Sequence, residues 1–305
     1  MKVSKQSTDT HAYNRSWFDY PRARDAFEAY LLSLNLSGAD HIVIPNYIGY
    51  STREGSGVFD PVVSSGVNYK FYELDKSLEI DVLSVENLIR LGGVKLIVII
   101  HYFGYVDPNY KKIIRLARDN NIKVLEDQAH SLFTDLNSGT TGRLCDASIY
   151  SLHKMFPIET GGALSLTNSN VKSDSNNISK LCLDYDISKI SSIRIRNFNF
   201  LISKLAGHDD VLSIIRKSLA DGAVPQTFPI LINIKNRDEI YHLMNAQGFG
   251  VVSLYHTMIN EIAENRAFGI NETAKKILNL PLHQDAGEEG LAEMCDFLLN
   301  ILYAE

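Results

Sequence analysis

The sequence lacks the features that would place it in a membrane, on nucleic acid or in a disulfide framework. No apolar run approaches the roughly 20 residues needed to span a bilayer. The opening residues, MKVSKQSTDTHAYNRSW, have no apolar core of the kind a secretion signal carries. Only three cysteines occur, Cys145, Cys182 and Cys295, and their wide, irregular spacing matches no metal-ligand pattern. An odd, sparse set of thiols suits a reducing cytoplasm better than a disulfide-bonded exterior. The net charge is −6, with Lys and Arg scattered singly. Neither a nucleic-acid-binding stripe nor a charged tail is therefore expected. No G-x-G-x-x-G follows a predicted strand, which leaves a dinucleotide enzyme without its motif. Internal repeats and low-complexity segments are also missing.

What remains is globular: 305 residues, 45% hydrophobic and 22% charged. That length suits a large domain plus a small one. Over the first 170 residues apolar runs alternate with amphipathic ones. ARDAFEAYLLSL (23–34), SVENLIRL (84–91, with Ser84 as N-cap) and YKKIIRLARDNN (110–121) space their apolar residues as helices. HIVIP (41–45), NYKFYEL (68–74), KLIVIIHYFG (95–104), IKVLEDQAHS (122–131), ASIYSL (147–152) and GALSLT (162–167) read as strands. Helices alternating with buried strands predict an α/β fold built on a mixed, mostly parallel sheet. Beyond residue 170 the texture becomes polar and helical in pieces. TFPILINI (227–234) and VVSLYH (251–256) then read as strands, RDEIYHLMNAQG as a helix, ILNLPLHQD (277–285) as a strand and turn, and EEGLAEMCDFLLNILY as a closing helix. The expected division is a large cofactor-binding domain over 1–190 and a small C-terminal α+β domain over 191–305.

Ligands of open α/β sheets bind beyond the carboxyl ends of the strands. The predicted strand ends here carry Asp127 and His130 after IKVLE, then Ser151 and Lys154 after ASIY. A lysine between two core strands is usually a solvated loop residue, Asp127 alone could cap a turn, and His130 alone could be a structural histidine. Together they compose a set that pyridoxal phosphate requires. Lys154 supplies the Schiff-base amine, Asp127 a counter-charge for the ring nitrogen, His130 a neighbour for the ring, and Ser151 a phosphate contact. The start of the 23–34 helix, at Arg24 and Asp25, offers backbone N–H groups to the same phosphate.

The chain resembles the DegT/StrS-type sugar aminotransferases, which have the fold of aspartate aminotransferase. The resemblance rests on IVIPNY (42–47), IIHYFG (99–104), VLEDQAHSLF (124–133), the span from TGRLCDASIYSLHK to GGAL (141–164), and LPLHQD (280–285). It implies a pyridoxal phosphate enzyme, a homodimer with sites at the subunit interface, that moves an amino group from glutamate to a nucleotide-linked keto sugar in amino-sugar and surface polysaccharide biosynthesis. By match of motif, Lys154 is the cofactor-linked lysine, Asp127 the pyridine-nitrogen partner, His130 the residue beside the ring and Ser151 the phosphate serine. Three departures stand out. The serine-to-lysine spacing is the short S-x-x-K, although Lys154 keeps its place seven residues before Gly161. Gly49 stands where many members carry an aromatic that stacks on the cofactor ring; Tyr47, Tyr50 or the HYFG segment is left to take that place. RIRNFNF (194–200) is a poor match to the Asn-x-Arg segment that reaches the partner's site.

Other readings are open on the same residues. S-x-x-K is also the nucleophile motif of penicillin-binding proteins and class A β-lactamases, but the S-D-N and K-T-G companions are missing. A dehydratase relative would use histidine, and His153 adjoins Lys154; the spacing to Gly161 favours Lys154. A non-catalytic or regulatory cofactor-binding member of the fold is the remaining alternative.

Overall fold

Ten strands and eleven α-helices form two sheets in the computed structural model, which describes residues 15–167, 177–265 and 268–304. The strands are β1 (Arg15–Tyr20), β2 (His41–Pro45), β3 (Asn68–Tyr72), β4 (Val94–Ile100), β5 (Lys123–Asp127), β6 (Ala147–Ser151), β7 (Gly162–Thr167), β8 (Leu212–Ile214), β9 (Thr227–Ile232) and β10 (Ile277–Pro281). The helices are α1 (Ala23–Ser33), α2 (Phe59–Ser64), α3 (Val82–Arg90), α4 (Tyr110–Asp119), α5 (Leu132–Ser138), α6 (Asn177–Asp184), α7 (Ile187–Leu205), α8 (Arg237–Ala246), α9 (Asn260–Ala263), α10 (Ile270–Lys276) and α11 (Glu288–Tyr303).

The large sheet runs β1-β7-β6-β5-β4-β2-β3. Strands β2 to β6 pair in parallel, whereas β7 is antiparallel to both β6 and β1. The apolar run of β4 is buried at every position but Lys95, as a strand covered on both faces requires. Helix α1 buries Ala26, Phe27, Tyr30 and Leu31, one face of a 3.6-residue period. The small sheet, β10-β9-β8, is wholly antiparallel. Apolar contacts run without a break from the large sheet into the small one.

Besides the unanticipated short elements α2, α5, β8, α9 and α10, the structure departs from the sequence reading in four places. Strand β1 is absent from the expectation; Arg15 fixes it, donating to Asp135 Oδ2 (2.7 Å) and Tyr150 Oη (2.9 Å) in the interior. Helix α3 begins after Asp81, whose carboxylate accepts the N–H groups of Leu83 and Ser84. Ser84 is therefore not the cap, and its hydroxyl instead accepts the Glu73 N–H at 2.9 Å. The polar stretch after 170 contains a 19-residue helix, α7, which runs through residue 190, so the expected domain boundary falls inside it. VVSLYH is not a strand: only Val252 forms a bridge, to Asn279, and Tyr255 has φ +61°, which ends any extended run.

Candidate active site

The parallel strands deliver their last residues to one cleft. Asp127 closes β5 and Ser151 closes β6. The chain then turns through a short 3₁₀ segment, Leu152–Lys154, which lifts the lysine over the strand ends. The loop returns to Gly161, whose carbonyl accepts the Leu152 N–H at 2.9 Å, and β7 begins beside it. Gly162 faces Ser151 in the ladder. A Cβ on Gly162 would lie 2.2 Å from the Arg22 carbonyl carbon and 2.5 Å from the Ala23 nitrogen. The missing side chain is what allows the start of α1 to reach the strand ends.

The cleft has a volume of about 630 Å³ and is lined by Arg24, Tyr50, Asp127, His130, Ser151 and Lys154 among others. Two expected members are not in its wall. Asp25 is paired with Arg22 at 3.4 Å, and Tyr47 is fully buried, with its ring packed on Tyr102 and Tyr255. Tyr50 is exposed at the rim.

The Lys154 amine lies 3.5 Å from His130 Nε2. The other ring nitrogen, Nδ1, accepts the Phe103 N–H at 3.2 Å, so the proton of a neutral imidazole sits on Nε2. Burial, and secondarily the Lys154 charge, hold the His130 pKa well below its usual value, which keeps the ring neutral. An Nε2–H directed at the amine then finds an acceptor only if the amine is neutral too. The Lys154 side chain is exposed to the cleft; the protein around it nonetheless lowers its pKa, with Arg24 adding to the effect and Asp127 and Glu54 opposing it. His153 takes no part in this pair; its Nδ1 lies 3.4 Å from both Ser151 Oγ and the Gly161 carbonyl.

Asp127 is 7% exposed, and among the described residues its carboxylate accepts one hydrogen bond, from the Ala129 N–H at 2.8 Å. Burial raises its pKa, against the pull of that N–H, Lys154 and His101. A buried acid with a single partner on a cleft wall is suited to a cationic ligand. Behind it, Glu126 fixes the end of β5: it accepts from His101 Nε2 (2.8 Å), Tyr110 Oη (2.6 Å), Gln128 Nε2 (2.7 Å) and the Gly142 N–H (2.8 Å). At the far side α1 has no side-chain cap; the Asp25 and Ala26 N–H groups bond back to the Arg22 carbonyl. The N–H groups of Ala23 and Arg24 precede the helix's own bonding and belong to residues of the cleft wall, a natural anion seat beside Ser151.

A lysine whose pKa is lowered, a buried carboxylate and an anion seat form the donor set that pyridoxal phosphate needs, and the residues fit that group. Among the described residues no cluster of His, Cys, Asp or Glu is placed to hold a metal ion, and no helix is long and apolar enough to cross a membrane. RIRNFNF lies within α7 and is engaged inside its own chain. Arg194 donates to Gln284 Oε1 (3.0 and 3.2 Å) and covers the Phe133 ring, while Asn197 donates to the carbonyls of Leu282, His283 and Ala286.

Residues 23–185 match the family model of the DegT/DnrJ/EryC1/StrS aminotransferase family. A UDP-4-amino-4,6-dideoxy-N-acetyl-beta-L-altrosamine transaminase of Campylobacter jejuni is 22% identical, with 78% of this chain and 74% of that protein covered. An uncharacterized protein of Methanocaldococcus jannaschii is 27% identical over 141 residues; the match covers 46% of this chain and spans only 34% of that relative's length. The Helicobacter pylori PseC aminotransferase, involved in the biosynthesis of pseudoaminic acid, superposes with TM-score 0.75 at 17% identity, covering 94% of this chain and 86% of that one. DesV of S. venezuelae superposes with TM-score 0.74 at 15% identity, covering 95% and 85%. At these identities the two structures speak for the fold, which is the aminotransferase architecture the sequence led us to expect.

Proposed function

The chain belongs to the DegT/DnrJ/EryC1/StrS aminotransferase family, whose aminotransferases use pyridoxal phosphate, and from that premise we propose that it transfers an amino group to a keto sugar. The observation that carries the reading is the approach of the Lys154 amine to within 3.5 Å of His130 in a cleft that also holds the buried carboxylate of Asp127. Nucleotide linkage of the sugar, glutamate as donor, a cytoplasmic setting and a homodimeric assembly are parts of the same proposal. The Campylobacter transaminase, whose name specifies a UDP-linked amino sugar, supports the first of these.

When bound, pyridoxal phosphate supplies a carbonyl that takes up an amino group and a ring that draws electrons from the adjacent carbon. Each part of the chain has a defined task toward it. Ala23 and Arg24 N–H groups and the Ser151 hydroxyl hold the phosphate. Asp127 would face the ring nitrogen, and a protonated nitrogen there would favour the ionised carboxylate against its burial. Lys154 would be the residue that links to the cofactor, and its amine would take and return the proton at the reacting carbon. His130 steadies that amine by donating from Nε2.

The test is a visible absorption spectrum of wild type and Lys154→Ala with added pyridoxal phosphate, followed by glutamate. A band that requires Lys154 and fades with glutamate is expected. No band in wild type would overturn the cofactor reading; a band indifferent to every amino acid would overturn amino transfer.

A further inference from the structure

Tyr255 sits between α8 and α9 with φ +61°, a strained position for an aromatic residue. Its surroundings hold it there. The Tyr50 N–H donates to the Thr257 carbonyl (3.0 Å) and the Ile259 N–H to the Ile48 carbonyl (3.1 Å), while Gly49 bridges Met258. Upstream, the Leu254 N–H donates to Asn279 Oδ1 at 3.1 Å. A piece of the C-terminal part of the chain is thus stitched to the segment that follows β2, and the Tyr255 ring is laid into the cleft. That ring occupies the space in front of Gly49, where a Cβ would come within 2.8 Å of Tyr255 Cδ1.

A planar cation held by Asp127 needs its faces covered as well as its nitrogen. Among the described residues, five rings line the cleft: Tyr50, His130, His153, Tyr255 and His256. Tyr50, His153 and His256 are exposed. His130 has one nitrogen on the Phe103 N–H and the other toward Lys154. Tyr255 remains. It is half-buried, its centroid lies 5.9 Å from that of His130 at 70°, and Tyr47 and Tyr102 back it at 5.3 Å each. Nothing in the chemistry above accounts for a strained ring at this point.

We propose that Tyr255 is a positioning residue whose ring, delivered across Gly49 from the C-terminal part of the chain, covers one face of the pyridine ring held by Asp127 and Lys154. The proposal rests on the cofactor reading above. It also makes cofactor loading a brace between the two parts of the chain, because the stacked ring belongs to one and the charge partner to the other.

Equilibrium dialysis of pyridoxal phosphate against the full chain tests it, with wild type, Tyr255→Phe, Tyr255→Leu and Tyr255→Gly compared. Glycine tolerates the left-handed backbone without strain, and leucine keeps apolar bulk while losing the π face. Thermal unfolding without cofactor checks that each variant is folded. Tyr255→Phe is expected to bind within about twofold of wild type, and the Leu and Gly variants to bind about tenfold more weakly. Amide exchange of residues 253–259 should slow on loading in wild type and not in Tyr255→Gly. Wild-type affinity in both the Leu and Gly variants would overturn the stacking role alone. No binding by wild type would overturn the cofactor reading itself, and this inference with it.

Discussion

Lys154 and His130 face each other across 3.5 Å, nitrogen to nitrogen, with the imidazole committed by the Phe103 N–H to donate rather than accept. That commitment has an energetic side. In His130→Phe the Phe103 N–H, buried, loses its acceptor, which costs about 1–3 kcal/mol. The near-parallel contact with the Phe103 ring is retained, so a denaturant titration of the apoprotein should report the lost hydrogen bond. An unchanged midpoint would mean that Nδ1 is not the acceptor.

Asp127→Asn keeps the shape of the side chain and the bond from the Ala129 N–H while removing the charge. Amino transfer is expected to fall on the order of 100-fold. Steady-state turnover with glutamate and a keto sugar measures it. A near-normal rate would take Asp127 out of its role as counter-charge.

The pH at which Lys154 captures cofactor follows from the signs of its neighbours. The free amine reacts, and the protein enclosing the cleft has already brought its pKa below that of an ordinary lysine. Arg24→Gln removes a positive neighbour, so the pKa should rise and capture begin at higher pH. Glu54→Gln removes a negative neighbour, so the pKa should fall further and capture begin at lower pH. The rate of appearance of the lysine-dependent band, followed across pH, reads both shifts, and equal onsets in all three proteins would contradict the account.

Gly162→Ala places a methyl group against the backbone of Arg22 and Ala23. Overpacking of this kind costs about 1–3 kcal/mol. It also pushes the start of α1 away from Ser151, so both the melting temperature and the affinity for pyridoxal phosphate should drop. Gly38→Ala, where no atom lies within 4 Å of the new methyl, is the control and should stay within about 0.5 kcal/mol.

Much of this was legible before any coordinates. The strands of the parallel sheet announce themselves because burial on both faces demands continuous apolar runs, and the acids, histidine, serine and lysine stand where those runs stop. Helix α7 was obscured because Ser191, Arg194 and Asn197 share its buried face with Phe198, Leu201 and Leu205, so a polar stripe hides a helical period. Strand β1 was missed because its anchor, Arg15, finds Asp135 across 120 residues of sequence, a partnership no local pattern reveals. Tyr255 gave no signal either. Its apolar context reads as a strand, and the left-handed backbone that aims its ring is set by bonds to residues 48–50. Gly49 was noticed as a gap, but what fills the gap comes from the other end of the chain.

The bond between the Leu152 N–H and the Gly161 carbonyl ties the neck of the lysine-bearing loop. With the neck tied, residues can be added or removed along the intervening arc without altering the register of β6 against β7. The short S-x-x-K spacing is tolerable for this reason: the arc carries Lys154 between two strands whose register is fixed at the neck and not by the length of the arc.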